Sequence, residues 1–385
     1  MKILHTADWH VGKVLKGRSR LDEHRAVLRE LVTLARREDV DAVVVAGDLF
    51  DTSAPTPDAQ GLVLPALMAL REGGRDVVVL AGNHDNPQLL EVYRPVLGKL
   101  GIHVVGGFRR PEAGGTLSFT ARSGEPVRLA VLPFLSHRYV IRAAEVLAGT
   151  AADHNRDYAG RIGELIGALT AGFAADTVNL VTTHGTLPGG KFGGGEREAQ
   201  SIFSYYFEAA AFPSTTQYAA LGHLHRRQQI PGPCPIWYSG SPLAVDFGEE
   251  ANAPGALLVT VEPGRPAVVR EVAFDAPRAL ATVRGTLERL EAVAADLVDT
   301  ETWLRVIVEE KPRPGLADTV REILPGAIDV VLDERFRPTS PVRPAGQGAA
   351  GRSPRELFRD YLTASGRHDD NVAALFDRLY DEVTT

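Results

Sequence analysis

Five apolar runs in this chain each end on side chains that bind metals. KILHTA is followed by Asp8-Trp9-His10, VVVAG by Asp48, and VVVLAG by Asn83-His84-Asp85. NLVTT is followed by His184, and YAALG by His223 and His225. The ligand types are carboxylate, amide and imidazole, with no thiolate. Such a set suits Mn²⁺, Fe²⁺ or Zn²⁺, and suits Mg²⁺ less well because of the imidazoles. Seven candidates, Asp8, His10, Asp48, Asn83, His184, His223 and His225, are too many for one ion and suit two that share a carboxylate. Paired ions about 3.5–4 Å apart are a standard device for hydrolysing phosphate esters, since they activate water and neutralise charge growing on the phosphoryl oxygens. Taken singly the motifs are weak: Asp-x-His caps helices, Gly-Asp marks turns, and His-x-His occurs in surface loops. Their ordered recurrence at the ends of five runs is what is specific.

Side chains at run ends meet only if the runs are strands laid side by side. DAVVVAG, RLAVLPF and ALLVTVEP are short, apolar and rich in β-branched residues, as buried strands are. RLDEHRAVLRELVTLARRE has a helical period, with Leu28, Leu31, Val32 and Ala35 on one side, and GRIGELIGALTAGF reads as another helix. Alternating strands and helices predict a layered α/β domain, in which the carboxyl ends of strands line the ligand crevice. In an extended segment His223 and His225 point to the same side. Burying this many polar groups together would be costly without a partner, and a cation is one.

The 385 residues are 44% hydrophobic and 24% charged, which predicts a soluble globular chain of more than one domain. No apolar run approaches the roughly 20 residues that span a bilayer. The chain opens directly on a strand-like run, with no basic-then-apolar leader, and its single cysteine, Cys234, allows no internal disulfide. A cytoplasmic location is the expectation. The net charge of −7 argues against a general nucleic-acid binder, yet a local basic groove is compatible with it. Lys13, Lys16, Arg18 and Arg20 follow the first metal motif, and Arg226 follows the last. Their flanking positions make them candidates for contact with backbone phosphates. LPGGKFGGGERE, at 187–198, reads as a mobile loop beside the site rather than as a phosphate cradle.

From about 267 the texture changes. VVREVAF, ATVRGTLERLEAVAADL, WLRVIVEE, LADTVREIL and IDVVLDER read as a small β-α-β-α-β domain. Residues 337–352 are rich in Pro, Gly and Ala and read as a linker. Two helical segments follow, with Leu357, Phe358, Tyr361 and Leu362 on one apolar stripe and Val372, Leu375, Phe376, Leu379, Tyr380 and Val383 on another. Two short helices cannot bury so many large side chains alone, which points to a partner groove.

The ordered motifs resemble the calcineurin-like metallophosphoesterases. Within them, ILHTADWHVGK, VDAVVVAGDLFDTSAP, VVVLAGNHD and YAALGHLHRRQ followed by WYSGSPLAVDFGE resemble the SbcD family of nuclease subunits. The resemblance covers the catalytic region throughout and the rest more loosely. It implies a β-sandwich flanked by helices at 1–275, a small α+β capping domain at 276–336, a linker at 337–352 and partner-binding helices at 353–385. It implies two Mn²⁺, with Mg²⁺ or Fe²⁺ as substitutes. The implied activity is that of an exonuclease and endonuclease on DNA ends, hairpins and blocked ends. The implied assembly is a homodimer within a heterotetramer, with an SbcC-type ATPase that carries coiled coils. The alternative on the same metal core is a phosphodiesterase for small-molecule or nucleotide substrates. By position, Asp8, His10, Asp48 and His225 would hold one ion, and Asp48, Asn83, His184 and His223 the other. His84 would be the catalytic histidine beside the scissile phosphate, with Asp85 orienting its ring. Relatives can carry a histidine near Asp51, so Asp51 reads as either a support for the site or a turn residue. Leu357, Phe358, Tyr361, Leu375, Phe376 and Leu379 would face the partner.

Overall fold

Runs such as Val43–Val45 are buried on both faces, so each strand needs a layer on either side. The computed structural model supplies those layers with two facing six-stranded sheets. It describes residues 1–148, 158–196, 205–297, 301–337, 354–364 and 370–384. The first sheet runs Arg265–Ala273, Gly255–Glu262, Lys2–Thr6, Ala42–Val45, Asp76–Leu80, Ile102–Val105. Its last four strands are parallel, and the first two add on antiparallel. The second sheet runs Gln228–Ile230, Ile236–Tyr238, Tyr218–Gly222, Val178–His184, Pro126–Leu132, Thr116–Thr120. Here the four inner strands are parallel and each edge is antiparallel.

Successive side chains of a strand point to opposite faces, and the core divides accordingly. Ile3, Val44 and Val78 of the first sheet meet Leu129, Leu180 and Ala220 of the second. On the outer face of the first sheet, Leu4, Val43 and Val77 pack on Leu28, Leu31, Val63 and Leu90 from the helices Leu21–Arg37, Pro57–Arg71 and Pro87–Lys99. On the outer face of the second, Leu132, Val181 and Leu221 pack on Val140, Ile162 and Leu165 from the helices His137–Ala148 and Tyr158–Thr170. Each large side chain buried this way contributes about 1.5–3 kcal/mol. The expected sandwich flanked by helices is therefore present. His5 lies inside it, its Nδ1 2.8 Å from the Tyr218 hydroxyl.

Two helix starts matter for the site. Thr56 and Asn86 cap the helices 57–71 and 87–99, each followed by proline at the first helical position. Proline there lacks only an N–H that would go unpaired anyway. These caps fix where the loops after 42–45 and 76–80 end.

A three-stranded sheet, Leu280–Gly285, Trp303–Val308 and Ala327–Leu332, follows with the helices Leu287–Leu297 and Leu316–Ile323. This corrects the reading of its start. VVREVAF belongs to the strand 265–273, a hairpin partner of 255–262 in the first sheet, and ATVRG is a strand rather than part of a helix. An alternating run looks the same whichever sheet it joins, so its pattern alone did not assign it. Trp303 Nε1 donates to Glu23 Oε1 at 3.0 Å, and the Arg305 guanidinium lies 4.7 Å from the centre of the Phe247 ring.

The chain divides into two units, Met1–Val308 with Ala317–Val331, and Glu309–Leu316 with Leu332–Thr385. In the second unit the helices Pro354–Ala364 and Asp370–Thr384 pair through stacked rings, Phe358 on Phe376 at 4.1 Å. Arg359 and Asp377 add an ion pair. Most of the linker read at 337–352, together with the side chain of Leu357, lies outside the described residues.

Candidate metal centre

The parallel pairing of the strands Lys2–Thr6 and Ala42–Val45 runs on into their loops. Ala46 N–H donates to Thr6 O at 2.8 Å, Asp8 N–H to Gly47 O at 3.0 Å, and His10 N–H to Asp48 O at 3.0 Å. The loops climb side by side and bring Asp8, His10 and Asp48 together. Glycine precedes the ligands of three motifs because a neighbouring strand passes too close for a side chain. A Cβ on Gly82 would lie 2.1 Å from Asp48 Oδ1, one on Gly47 2.4 Å from His184 Nδ1, and one on Gly222 2.0 Å from Ala46 O. Asp8, His10, Asp48 and His223 all adopt left-handed backbone, with φ of 54°, 46°, 53° and 103°. Among the described residues only Lys16 and Asp39 are other non-glycines that do so. The conformation costs roughly 1–2 kcal/mol per residue and clusters at functional sites.

The structure gathers all seven candidate ligands. His10 Nε2 faces His225 Nε2 at 3.0 Å and lies 3.7 Å from Asp48 Oδ2. His184 Nε2 and His223 Nδ1 each lie 2.8 Å from Asn83 Oδ1. His184 Nε2 is 3.4 Å from Asp48 Oδ2. Asp8 shares a cluster with His10 and His225, and another with Asp48 and His184. All but Asn83 are buried.

Two rings have their orientation fixed from behind. His184 Nδ1 bonds Ala46 O at 2.8 Å, and His225 Nδ1 bonds Glu249 Oε1 at 2.5 Å. The carbonyl and the carboxylate can only accept, so each Nδ1 carries the hydrogen and each Nε2 turns a lone pair to the centre.

Burial raises the Asp8 carboxyl to about 7 against the pull of His184 and His225. Burial also opposes ionisation of Asp48, but His184 and His10 outweigh it and hold that carboxyl well below its usual range. Burial opposes the imidazolium of His184, yet Asp48 lifts it to about 9. Glu249 likewise overrides burial at His225 and lifts it to about 10. These protons sit on lone pairs that a cation would take instead.

The donor set fits divalent metal. Ring nitrogens converge on each other and on one amide oxygen, an acceptor. Two buried carboxylates stand between them, and His10 Nδ1 is buried with no hydrogen bond of its own. Oxygen and nitrogen donors around a double negative charge are what Mn²⁺ or Fe²⁺ binds.

Residues 1–227 match the calcineurin-like phosphoesterase family, and residues 276–365 match the type 5 capsule protein repressor C-terminal domain. The chain is 38% identical to the D-subunit of nuclease SbcCD from Bacillus subtilis, across 73% of this chain and 71% of that one. It is 32% identical to the corresponding SbcCD nuclease protein of Rhodobacter capsulatus, across 93% and 92%. The chain belongs to the SbcD family of calcineurin-like phosphoesterases. It is thus a metal-dependent phosphoesterase. Among solved structures, a dimetal phosphatase from Danio rerio aligns with a TM-score of 0.40 and 17% identity, covering 71% of this chain and 96% of that one.

Around this SbcD-family centre several residues play parts that the motifs did not reveal. Glu249, which orients His225, lies 24 residues further along on a single turn of 3-10 helix. Glu196 accepts from the N–H groups of His225, Gly193 and Gly194, and so ties the glycine-rich loop to the centre. Asp51 supports the site: its carboxylate lies 3.6 Å from His10 Nδ1 and 3.3 Å from Lys13 Nζ, and its carbonyl oxygen 2.8 Å from His84 Nδ1.

Two expected roles change. Asp85 does not orient the His84 ring, which is held by Asp51. Instead its buried carboxylate accepts from the N–H groups of Gly82, Leu49 and Phe50, and braces the Asp48 loop against the Asn83 loop. Arg20 is not available to phosphate. It is fully buried, bound to both oxygens of Glu23 and to Ala244 O, and so holds the carboxylate that accepts from Trp303. A basic run in sequence does not disclose that its last member turns inward. Lys13 is half-buried, while Lys16, Arg18 and Arg226 are exposed. Lys16 and Gly17 form the tip of a hairpin that pairs Val14–Leu15 with Arg18–Ser19, and Lys16 reaches Asp329 at 3.2 Å.

His84 sits beside His10 and Asp48. Its backbone N–H donates to Asp48 Oδ1 at 2.8 Å, and its ring meets that of His10 edge-on at 4.7 Å. It also shares a cluster with His10 and Asp48.

Proposed function

We propose that this chain is the nuclease subunit of an SbcCD-type complex, cutting DNA at ends, hairpins and blocked ends together with an SbcC-type ATPase. The observation that carries the reading is the convergence of Asp8, His10, Asp48, Asn83, His184, His223 and His225 at the strand ends of two facing sheets. Asp8, His10, Asp48 and His225 would hold one Mn²⁺, and Asp48, Asn83, His184 and His223 a second. When bound, the ions supply charge neutralisation at the phosphoryl oxygens and an activated water.

The chain's own residues do the rest. Ala46 O and Glu249 keep the Nδ1 hydrogens of His184 and His225, so both rings present Nε2. Asp51 O holds Nδ1 of His84 and leaves its Nε2 to carry a proton toward the leaving 3′ oxygen. Asp85 locks the two loops that frame the phosphate. Lys16, Arg18 and Arg226 are exposed and would meet the backbone of the DNA, Lys16 by giving up Asp329.

Two sets of exposed apolar side chains would serve assembly. Val92, Val96 and Leu100 on and after the helix 87–99, with Met68 on the helix 57–71, are exposed and suit contact between two copies of this chain. Tyr361, Leu375 and Leu379 are exposed on the C-terminal pair and suit the ATPase partner. Phe358 and Phe376 stack on each other, so their part is to hold that pair together. Residues 276–336 would form the cap. Among the described residues no helix is long and apolar enough to cross a membrane, and we place the complex in the cytoplasm.

The test is cleavage of duplex DNA with blocked ends, with and without the ATPase, in Mn²⁺ and in Mg²⁺. Hydrolysis of a chromogenic phosphodiester without cleavage of any DNA would turn the reading to a small-molecule phosphodiesterase.

A further inference from the structure

A cleft of about 900 Å³ opens beside the metal centre, within the range of sites that enclose a small molecule. None of the candidate ligands lines it, but residues that adjoin them do. Its near wall is built by Ser53, Asp85 and Asn86, from the two loops that carry Asp48 and Asn83. Phe134, also in the wall, lies nearly parallel to the His223 ring at 6.5 Å and edge-on to the His184 ring at 6.3 Å. A ligand in the cleft is therefore one aromatic ring away from two candidate metal ligands.

The far wall combines rings with guanidinium groups. Phe108 and Tyr139 face it, with Tyr139 47% exposed on the helix 137–148. Arg110 and Arg142 are exposed at its rim, Arg110 held on Val146 O. Arg109 is taken up by Glu91 at 2.5 Å, and Asp85 spends its oxygens on backbone N–H groups. The open charge is positive. Flat apolar walls with a positive rim match a flat heterocycle joined to phosphate.

We propose, resting on the nuclease reading above, that this cleft is a base-binding subsite for the nucleotide next to the scissile phosphate. A paired base stays within its stack, so the subsite takes a base that is unpaired or frayed at an end. Aromatic side chains serve any base in this way, because every base has a stacking face, and arginine adds to the contact.

The experiment uses the full chain in Mn²⁺ and three substrates: bis(p-nitrophenyl) phosphate, the p-nitrophenyl ester of thymidine 5′-phosphate, and a single-stranded oligonucleotide. Tyr139→Ala, Arg142→Ala and their combination are compared with wild type. We expect KM for the thymidine ester and the oligonucleotide to rise by about 5- to 100-fold in the double variant. We expect kcat/KM for bis(p-nitrophenyl) phosphate to stay within about twofold, and Tyr139→Phe to restore most of the loss. Equal losses on all three substrates, or no loss on any, would overturn the subsite. Failure of the nuclease reading shows separately, as wild type that hydrolyses both small esters and leaves DNA intact. The subsite then stands or falls on the difference between the two esters.

Discussion

The two sheets bring unlike halves to the metal centre. The loops of the first sheet carry both carboxylates, the amide and His10 with His84. The second sheet carries only imidazoles: His184, His223 and His225. The first half is placed by backbone, with Asp8, His10 and Asp48 all left-handed. The second relies more on hydrogen bonds behind its rings, from Ala46 O and Glu249. Charge thus comes from one layer and direction from the other. The halves are also sewn together, since the N–H of His223 donates to Asp8 Oδ1 at 2.9 Å and the Ser241 hydroxyl to Asp8 O at 2.6 Å. A site assembled in this way exists only when the sandwich has closed.

The largest effect should come from the charged half. Asp48→Ala removes the carboxylate placed to touch both ions, and should abolish phosphodiester cleavage and empty at least one site. Elemental analysis beside an activity assay checks this, and full activity would end the two-ion model. His84→Ala, on the same half, should lower turnover by about 10²–10⁴-fold with both metals retained. If metal is lost instead, His84 is a ligand, as its place beside His10 and Asp48 allows. On the imidazole half, Glu249→Gln should weaken metal affinity by about 10–100-fold, read by Mn²⁺ titration. A loss as complete as that of Asp48→Ala would erase the contrast between charge and direction.

The smallest effect tests a buried ring away from the metal. His24 sets Nδ1 2.9 Å from Arg20 O and Nε2 3.1 Å from Trp9 O; the neutral ring donates to one of the two, and burial lowers its pKa to about 4. The unfolded chain takes its proton near 6.5, above the folded value. Stability from this group is therefore present at neutral pH and is lost as pH falls toward 4. Between pH 7.5 and 5.5 the loss should be about 1 kcal/mol. Urea unfolding in EDTA at both pH values, against His24→Gln, isolates it.

The candidate ligands were legible because each ends a strand, and strand ends of one sheet share an edge. The layered α/β domain was legible from short apolar runs alternating with helical periods, and the sandwich came only with the family resemblance. What stayed hidden depended on distant partners. Arg20 reads as one more surface cation until Glu23 and Ala244 enclose it. Asp85 reads as a neighbour of His84, although its turn aims it at the N–H groups of 49 and 50. Glu249 carries no motif that points back to His225. The strand 265–273 shows its period but not the sheet it joins.

The left-handed backbone at Asp8, His10, Asp48 and His223 sets folding and cutting at odds. Glycine is at ease in that conformation, but at Asp48 it would also remove a carboxylate that His184 and His10 stabilise and that accepts from the His84 N–H. Asp48→Gly should cut nothing, and its melting temperature against the metal-free parent weighs the relieved backbone against the lost interactions with His184, His10 and the His84 N–H. Glycine at these four places would relieve the backbone and forfeit the side chains that make the site. They are positions where the backbone holds a costly conformation for the sake of the side chain it carries.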